Sequence, residues 1–360
     1  MNDVIAFTRG VPPEESFPTQ RLIACADRVL RMHGDDVLQY GSAAGYAPLR
    51  NYLSQKYTVR SDRLIIGQGS LELLDMLCRL TLGIGDTVFV EQPTYDRTLT
   101  IFRRAQAALR GFYLENGQMN LEEIRLTLEE GSVPRFFYVI PDFQNPNGSV
   151  MGLPERTELI RLAKEYHFLI IEDTPYRHLR YTGDAQPALF ELSPDVVIHM
   201  SSFSKLVSPG MRIGFMILPN DLAKRMTAFA NDTYICPNFF SQAVAYEFLS
   251  EGTLEQHIEQ LISLYRPRLR ALLSAMDAQF LDVGTWVKPE GGFFVGLFLN
   301  EDIKPIDREY AASHGVGLTD GSGFFKTGGD RFIRLPFCAL TEKENEQGIE
   351  RLGKIIRAFR

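Results

Sequence analysis

No run in this chain is long and uncharged enough to cross a membrane as a helix, which needs about 20 consecutive apolar residues. The opening residues, MNDVIAFTRGVPPEE, show no basic start followed by an apolar stretch. No secretory signal is therefore expected, and a cytoplasmic location follows. Cysteine is scarce: Cys25, Cys78, Cys236 and Cys338 are the only four, and they lie far apart. None forms a C-x-x-C pair or stands beside histidine at metal-ligand spacing, so reduced, mostly buried thiols are expected and no metal site is. The six histidines are equally scattered. Positive charge is in short supply, with 38 Lys and Arg against 45 Asp and Glu and a net charge of −7. That balance argues against nucleic acid or an anionic membrane surface as a partner. Internal repeats and low-complexity segments are absent too.

The 360 residues present are 45% apolar and 23% charged, an ordinary globular balance. The length suggests one large domain and a smaller one. Through the middle of the chain, short apolar runs alternate with helical patterns. RLIIG (63–67), TVFVE (87–91), LRGFYL, RFFYVIP (135–141), FLIIED (168–173), VVIHMSS (196–202) and IGFMILP (213–219) read as strands. SLELLDMLCRL, DRTLTIFRRA and PERTELIRLAKEYH read as helices between them. Strands without polar alternation, joined by helices, predict an α/β fold: a mostly parallel sheet with helices on both faces. After about residue 250 the pattern changes. A long helical stretch contains Pro267, which predicts a kink or a break there. WVKPEGGFFVGLFL, RFIRLPF and a terminal helix then read as a smaller α+β domain. The first 40 or so residues are Pro-rich and are expected to join that domain or a neighbouring subunit.

Ligands in such sheets bind beyond the carboxyl ends of the strands. Four predicted strand ends carry polar groups. Gly67-Gln68-Gly69-Ser70 could hold a phosphate on its amides and helix dipole, or be a plain turn with a serine cap. Asn145-Pro146-Asn147-Gly148 is a turn whose Asn145 could donate to a bound ring or substrate. Asp173, with Tyr176 close behind, ends a buried strand and must be paired. A protonated pyridine nitrogen would pair it, and so would a turn amide. Ser201-Ser202-Phe203-Ser204-Lys205, with Arg212 seven residues on, ends in a lysine that would become nucleophilic if desolvated near other cations. The alternative is a polar loop with a surface lysine. Each reading is weak alone, but all of them falling in this order by accident is far less expected.

In this combination the chain resembles the fold-type-I pyridoxal 5′-phosphate (PLP) enzymes of the class I/II aminotransferase family. The resemblance covers nearly the whole length. LQYGSAAGYAPLRNYL, Glu91-Gln92-Pro93-Thr94-Tyr95, Asn145-Pro146-Asn147-Gly148, Asp173-Thr174-Pro175-Tyr176, Ser202-Phe203-Ser204-Lys205 with Pro209-Gly210-Met211-Arg212, Pro289-Glu290-Gly291-Gly292-Phe293 and Arg334-Leu335-Pro336-Phe337 carry it. Within the group the likeness is greatest to the aminoadipate, kynurenine and branched-chain types.

The resemblance implies roles. Lys205 would be the Schiff-base lysine and the base that moves the substrate's α-proton. Asp173 would keep the pyridine nitrogen protonated, Tyr176 and Asn145 would bond the ring's 3-oxygen, and Tyr95 would stack on the ring. Arg212, Ser202, Ser204 and the amides of Gly69, Ser70 and Leu71 would bind the phosphate. Arg334 would take the substrate α-carboxylate, with Asn145 beside it. Tyr40 would reach the phosphate of a neighbouring subunit in a homodimer. Residues 1–44 would form an arm at the small domain and dimer interface, 45–280 the PLP-binding domain and 281–360 the small domain. Two departures stand out: Leu71 occurs where many relatives have a polar residue, and Arg9-Gly10 where many have Gly-Gly. Arg9 is either a solvated surface residue or a contact for an acidic substrate side chain. The implied reaction is amino transfer between an α-amino acid and an α-keto acid by a ping-pong cycle. β-Elimination, decarboxylation or an oxidase-like reaction would use the same cofactor residues. A PLP-binding regulatory module is not expected, since the chain is acidic and opens without a basic helix-turn-helix segment.

Overall fold

A strand that is apolar at every position has no face to offer water, and burial on both sides is what these strands find. The computed structural model describes residues 4–360. Its strands are β1 (Ile5–Phe7), β2 (Leu64–Gly67), β3 (Thr87–Gln92), β4 (Ala108–Glu115), β5 (Gln118–Met119), β6 (Phe136–Val139), β7 (Leu169–Asp173), β8 (Val197–Ser202), β9 (Gly214–Ile217), β10 (Gly284–Trp286), β11 (Phe294–Leu299), β12 (Val316–Leu318) and β13 (Phe332–Pro336). Eight of them form one sheet in the order β2-β9-β8-β7-β6-β3-β4-β5. The central pairings from β8 to β4 are parallel. β9 runs antiparallel to both β2 and β8, and β5 antiparallel to β4. β2 therefore points the same way as β8, so the carboxyl ends of β2, β3, β6, β7 and β8 share one edge.

Alternate residues of each strand feed two separate cores. Phe89, Phe137, Ile170 and Ile217 pack on one face of the sheet. Val88, Tyr138, Ile171, Ile198 and Met216 pack on the other, with Leu73 and Leu77 of the helix Ser70–Thr81, Phe102 of Asp96–Arg104 and Met226 of Asn220–Tyr234. Helices on both faces around a mostly parallel sheet are the predicted α/β arrangement.

Beyond residue 280, β10, β11 and β13 form an antiparallel sheet, and β1 pairs in parallel with β12. The N-terminal strand is thus tied to the C-terminal part of the chain. The next stretch is largely helical. Thr19–Val37 is a helix, non-helical only at His33, and it packs on the helix Phe239–Ser250, with Arg28 paired to Glu247 and Glu251. Of the kink or break expected at Pro267, no break occurs: one helix runs from Thr253 to Gln279, packed on the terminal helix Glu342–Ala358. Leu261 and Tyr265 before the proline, and Leu269, Leu272 and Met276 after it, are all buried. Burying each such side chain is worth about 1.5–3 kcal/mol, and together they outweigh the ~3 kcal/mol that an internal proline costs.

The C-terminal sheet is docked on the large one through the segment that follows β7. Tyr181 donates its amide to the Glu290 carbonyl at 2.7 Å, Gly292 donates to the Leu179 carbonyl at 2.9 Å, and Arg180 pairs with the Glu290 carboxylate. Behind this seam, buried Asp142 accepts from Arg156 at 2.8 Å and from Arg177 at 2.9 Å. This seam sets Phe293 and the start of β11 against the strand edge that carries the polar groups.

Candidate active site

The five strand ends open on one cavity of about 420 Å³, lined from the large sheet, from residues 8–11 and from Phe294 and Arg334 of the C-terminal sheet. One wall is a cup of small groups. Gly69 has φ +104°, and a Cβ there would collide with the Arg212 guanidinium. Only glycine lets the turn fit beneath Arg212. Arg212 itself is left-handed, at φ 54°, and donates to the Gln68 carbonyl at 3.0 Å. A Cβ on Gly214 would run into the Ser70 amide, so β9 must be bare where it meets the cup. Ser202 and Ser204 share a hydroxyl hydrogen bond of 2.8 Å at the same wall. A helix N-terminus, an arginine and two hydroxyls facing one space form an anion site.

Asp173, at the end of β7, is buried, and its Oδ2 accepts a 2.7 Å hydrogen bond from the Tyr138 hydroxyl. Its Oδ1 is buried with no partner among the described residues. Burial pushes the Asp173 carboxyl up to about 7, against the opposing pull of the Tyr138 bond. Tyr176, also buried, lies against Phe293 and Phe294, with ring centres 5.5 and 5.6 Å away. Asn145 and Tyr95 reach the cavity from the turns after β6 and β3. Those turns are braced together from behind. Glu91 accepts from the Ile140 amide at 3.0 Å and from the Gln144 side chain at 3.1 Å, while Gln144 also donates to the Pro93 carbonyl at 2.7 Å.

Lys205 faces the cavity with its Nζ donating to the Gly10 carbonyl at 3.0 Å. Burial lowers the proton affinity of its amine below the ordinary lysine value, and the charges of Arg334 and Arg212 lower it further, against an opposing effect of Cys338. Arg334 projects from β13 between the rings of Phe294 and Phe324, 4.8 and 4.6 Å from their centres. It donates to Asn145 Oδ1 at 3.3 Å and to the Thr8 carbonyl at 3.0 Å, and its Nε is buried without a partner among the described residues.

Gly69, Ser70, Leu71, Tyr95, Asn145, Asp173, Tyr176, Ser202, Ser204, Lys205, Arg212 and Arg334 all line this one cavity, and Arg9 is exposed at its rim. Tyr40 does not reach it. That residue is 74% exposed and lies on a separate recess with Cys236 and Phe239. Sequence reasoning missed Tyr138, the carbonyls of Thr8 and Gly10, and the Glu91–Gln144 brace. Of these, Gly10 and Glu91 fall in family-like segments, and nothing there sets their roles apart.

The orphaned Asp173 oxygen suits a protonated ring nitrogen, the cup suits a phosphate, and the desolvated Lys205 amine suits a carbonyl carbon. These are the polar ends of pyridoxal phosphate. A family model described as aminotransferase class I and II matches residues 2–352. The chain belongs to that family. An aromatic-amino-acid aminotransferase of Thermococcus litoralis is 33% identical over 369 residues, covering 99% of this chain and 88% of the relative. A kynurenine aminotransferase from Pyrococcus horikoshii, solved in complex with PMP, superposes with a TM-score of 0.94 at 32% identity, covering 99% of this chain and 92% of that one. An α-aminoadipate aminotransferase from Thermus thermophilus, complexed with N-(5′-phosphopyridoxyl)-L-leucine, gives 0.93 at 29% identity over 99% and 92% of the two chains.

The raised Asp173 carboxyl gives the cofactor-free enzyme a pH signature. Its ordinary value is 3.8 and its folded value about 7, so the folded state holds the proton more tightly than the unfolded chain. The resulting stability is full below 3.8 and is lost progressively up to about pH 7. The difference in unfolding free energy between wild type and Asp173→Asn should therefore fall across that window and level off above it. Urea titrations of both apoproteins at several pH values measure it, and a difference that stays constant with pH would contradict the assignment.

Proposed function

We propose that this enzyme moves an amino group between an α-amino acid and an α-keto acid, with pyridoxal 5′-phosphate as cofactor and Lys205 as the residue that binds it covalently. The observation that carries this reading is the single cavity where the desolvated Lys205 amine, the half-paired Asp173 carboxylate and the Arg334 guanidinium meet. Bound there, the cofactor supplies an electron-withdrawing ring and a carbonyl group that can take up and release an amino group.

The chain's own residues would do the rest. Arg212, the hydroxyls of Ser202 and Ser204 and the amides of Gly69, Ser70 and Leu71 bind the phosphate. Asp173 Oδ1 would accept from the ring nitrogen, Tyr176 and Asn145 would bond the ring's 3-oxygen, and Tyr95 would pack on the ring face. Arg334 holds the substrate's α-carboxylate with a rigid fork, which favours breaking the Cα–H bond over the bond to CO₂. When not bound to the cofactor, the Lys205 amine, neutral more readily because of its burial, would take the proton from the substrate Cα and hold it for return. The exposure of Tyr40 away from its own cavity supports a homodimer in which it serves the neighbour's phosphate. The four free cysteines fit a reducing, cytoplasmic location.

A half-reaction tests the chemistry. An amino acid alone should convert the yellow enzyme to its colourless amino form once per site, and 2-oxoglutarate or pyruvate should restore the colour. Lys205→Ala should lose the visible absorbance and nearly all turnover. Repeated turnover without a keto acid, with ammonia, CO₂ or peroxide released, would mean a different reaction.

Mixing subunits tests the assembly. Tyr40→Ala and Lys205→Ala homodimers should each be poorly active, and exchanging their subunits should restore one intact site per heterodimer. No recovery on mixing would place Tyr40 outside the neighbour's site.

Arg9 is read as a contact for an acidic substrate side chain. A charge-assisted bond of about 1.5–3 kcal/mol corresponds to about one to two decades in rate. Arg9→Ala should cut kcat/KM for acidic amino acids by that much and leave apolar ones nearly unchanged. Equal effects on both would make it a surface residue.

A further inference from the structure

Tyr138 sits in the middle of an aromatic strand, FFYV, and its hydroxyl is the one polar side-chain group that strand carries. β6 and β7 pair in parallel with Tyr138 opposite Ile171. Asp173, two residues on from Ile171, therefore lies on the same face as Tyr138. The phenol reaches it diagonally and donates to Oδ2 at 2.7 Å. Tyr138 is fully buried, and Phe102 lies edge-on against its ring at 6.0 Å. No solvent competes for this bond and the ring has no room to swing away.

We propose that Tyr138 is a positioning residue that fixes the Asp173 carboxylate and sets how the proton between Asp173 and the cofactor's ring nitrogen is shared. The proposal rests on the reading of Asp173 as partner of that nitrogen. Two consequences of the geometry support it. The first is directional. With Oδ2 committed to the phenol, only Oδ1 is left, buried and unpartnered among the described residues, at the cavity wall. The second is electronic. A donor on one oxygen stabilises the carboxylate anion and weakens its hold on a proton presented to the other. The phenol cannot turn into a second anion, because burial and the neighbouring Asp173 charge push its own ionisation far above the ordinary tyrosine range. Another buried carboxyl on this strand edge, Glu91, is pushed up to about 8 by burial and is occupied by the Ile140 amide and Gln144. Glu91 is thus held within the strand edge, and Asp173 is the buried carboxyl that lines the cavity. Without the phenol donor, the proton would shift from the ring nitrogen toward Asp173, and the ring would withdraw electrons less well.

The test uses holoenzyme loaded with cofactor labelled with ¹⁵N in the ring, whose resonance reports how far that nitrogen is protonated. Tyr138→Phe removes one hydroxyl and keeps the packing. It should move the resonance toward the unprotonated position and lower kcat by about tenfold to a hundredfold, the range expected for loss of one hydrogen bond to a charged group. Placing 3-fluorotyrosine at position 138 keeps the hydroxyl but makes it a stronger donor, and should move the resonance the opposite way. Opposite shifts from the two changes support the proposal, since a residue that only fills space would move neither. An unmoved resonance in both proteins overturns it. If Tyr138→Phe does not fold or load cofactor, the fluorotyrosine protein decides by the same criterion. Asp173→Asn separates this from the underlying reading. A shift in that variant with none from either change at Tyr138 sinks only the role of Tyr138. No shift in Asp173→Asn means that Asp173 does not face the ring nitrogen at all.

Discussion

Taking a carboxylate out of water costs several kcal/mol unless partners replace the lost hydration. The strand β7 ends in two such groups side by side, and the sheet treats them differently. Glu172 points to one face, where it accepts from the amides of Leu189 and Phe190 and lies 2.9 Å from His199 Nδ1. It is fully provided for inside the protein. Asp173 points to the other face, where Tyr138 satisfies one oxygen and no described residue satisfies the second. A fold that can satisfy Glu172 so completely, one residue away, leaves Asp173 half-paired only at a cost. That asymmetry marks the cavity side of the sheet as the place where a ligand completes the structure.

The rest of the site depends on keeping that edge rigid. Tyr95 and Asn145 sit on turns after β3 and β6, which would be free to move independently if each were fixed only by its own strand. Glu91 and Gln144 join them from behind, and Gln144 Oε1 also accepts from the Asn147 amide at 3.0 Å. On the far side, Asp142 gathers Arg156 and Arg177, and Arg180 carries the connection on to Glu290. The C-terminal sheet that supplies Arg334 is thus joined, through buried or half-buried charges, to the strand edge that supplies Asp173 and Asn145.

Much of this is legible in the sequence because strand ends in a parallel sheet announce themselves. An apolar run that stops at a charged or glycine-rich segment gives both the element and the edge, which is why Gly69, Asp173 and Lys205 can be placed from the residues alone. That the helix runs unbroken through Pro267 is not legible, because the penalty is local to the proline while the burial that overrides it is spread over residues 261–276. Tyr138 is hidden for another reason. In a strand buried on both faces there is no polar alternation to tell which way a side chain points, so a tyrosine among phenylalanines reads as core until its partner strand is known. Tyr40 is the opposite case. Its motif is recognisable, but within one subunit it has no neighbour in the cavity, so its role can be argued only with a second subunit present.

The segment from Thr8 to Val11 shows how the two ends of the chain act on one site. β1 is held by β12, and this fixes where the residues after Phe7 must pass. Two of its backbone carbonyls accept from basic side chains of the cavity: Thr8 from Arg334 and Gly10 from Lys205. A side chain at Gly10 would collide with the Phe294 ring, so the segment lies closely against the wall. Carbonyl oxygens are neutral acceptors, whereas a carboxylate brings a full opposite charge and can meet a guanidinium with two parallel bonds. A carboxylate that enters the cavity would therefore compete with the Thr8 carbonyl and the Asn145 side chain for Arg334. The segment that meets Arg334 with neutral carbonyls thus leaves that contact exchangeable, and it carries Arg9 to the rim of the cavity.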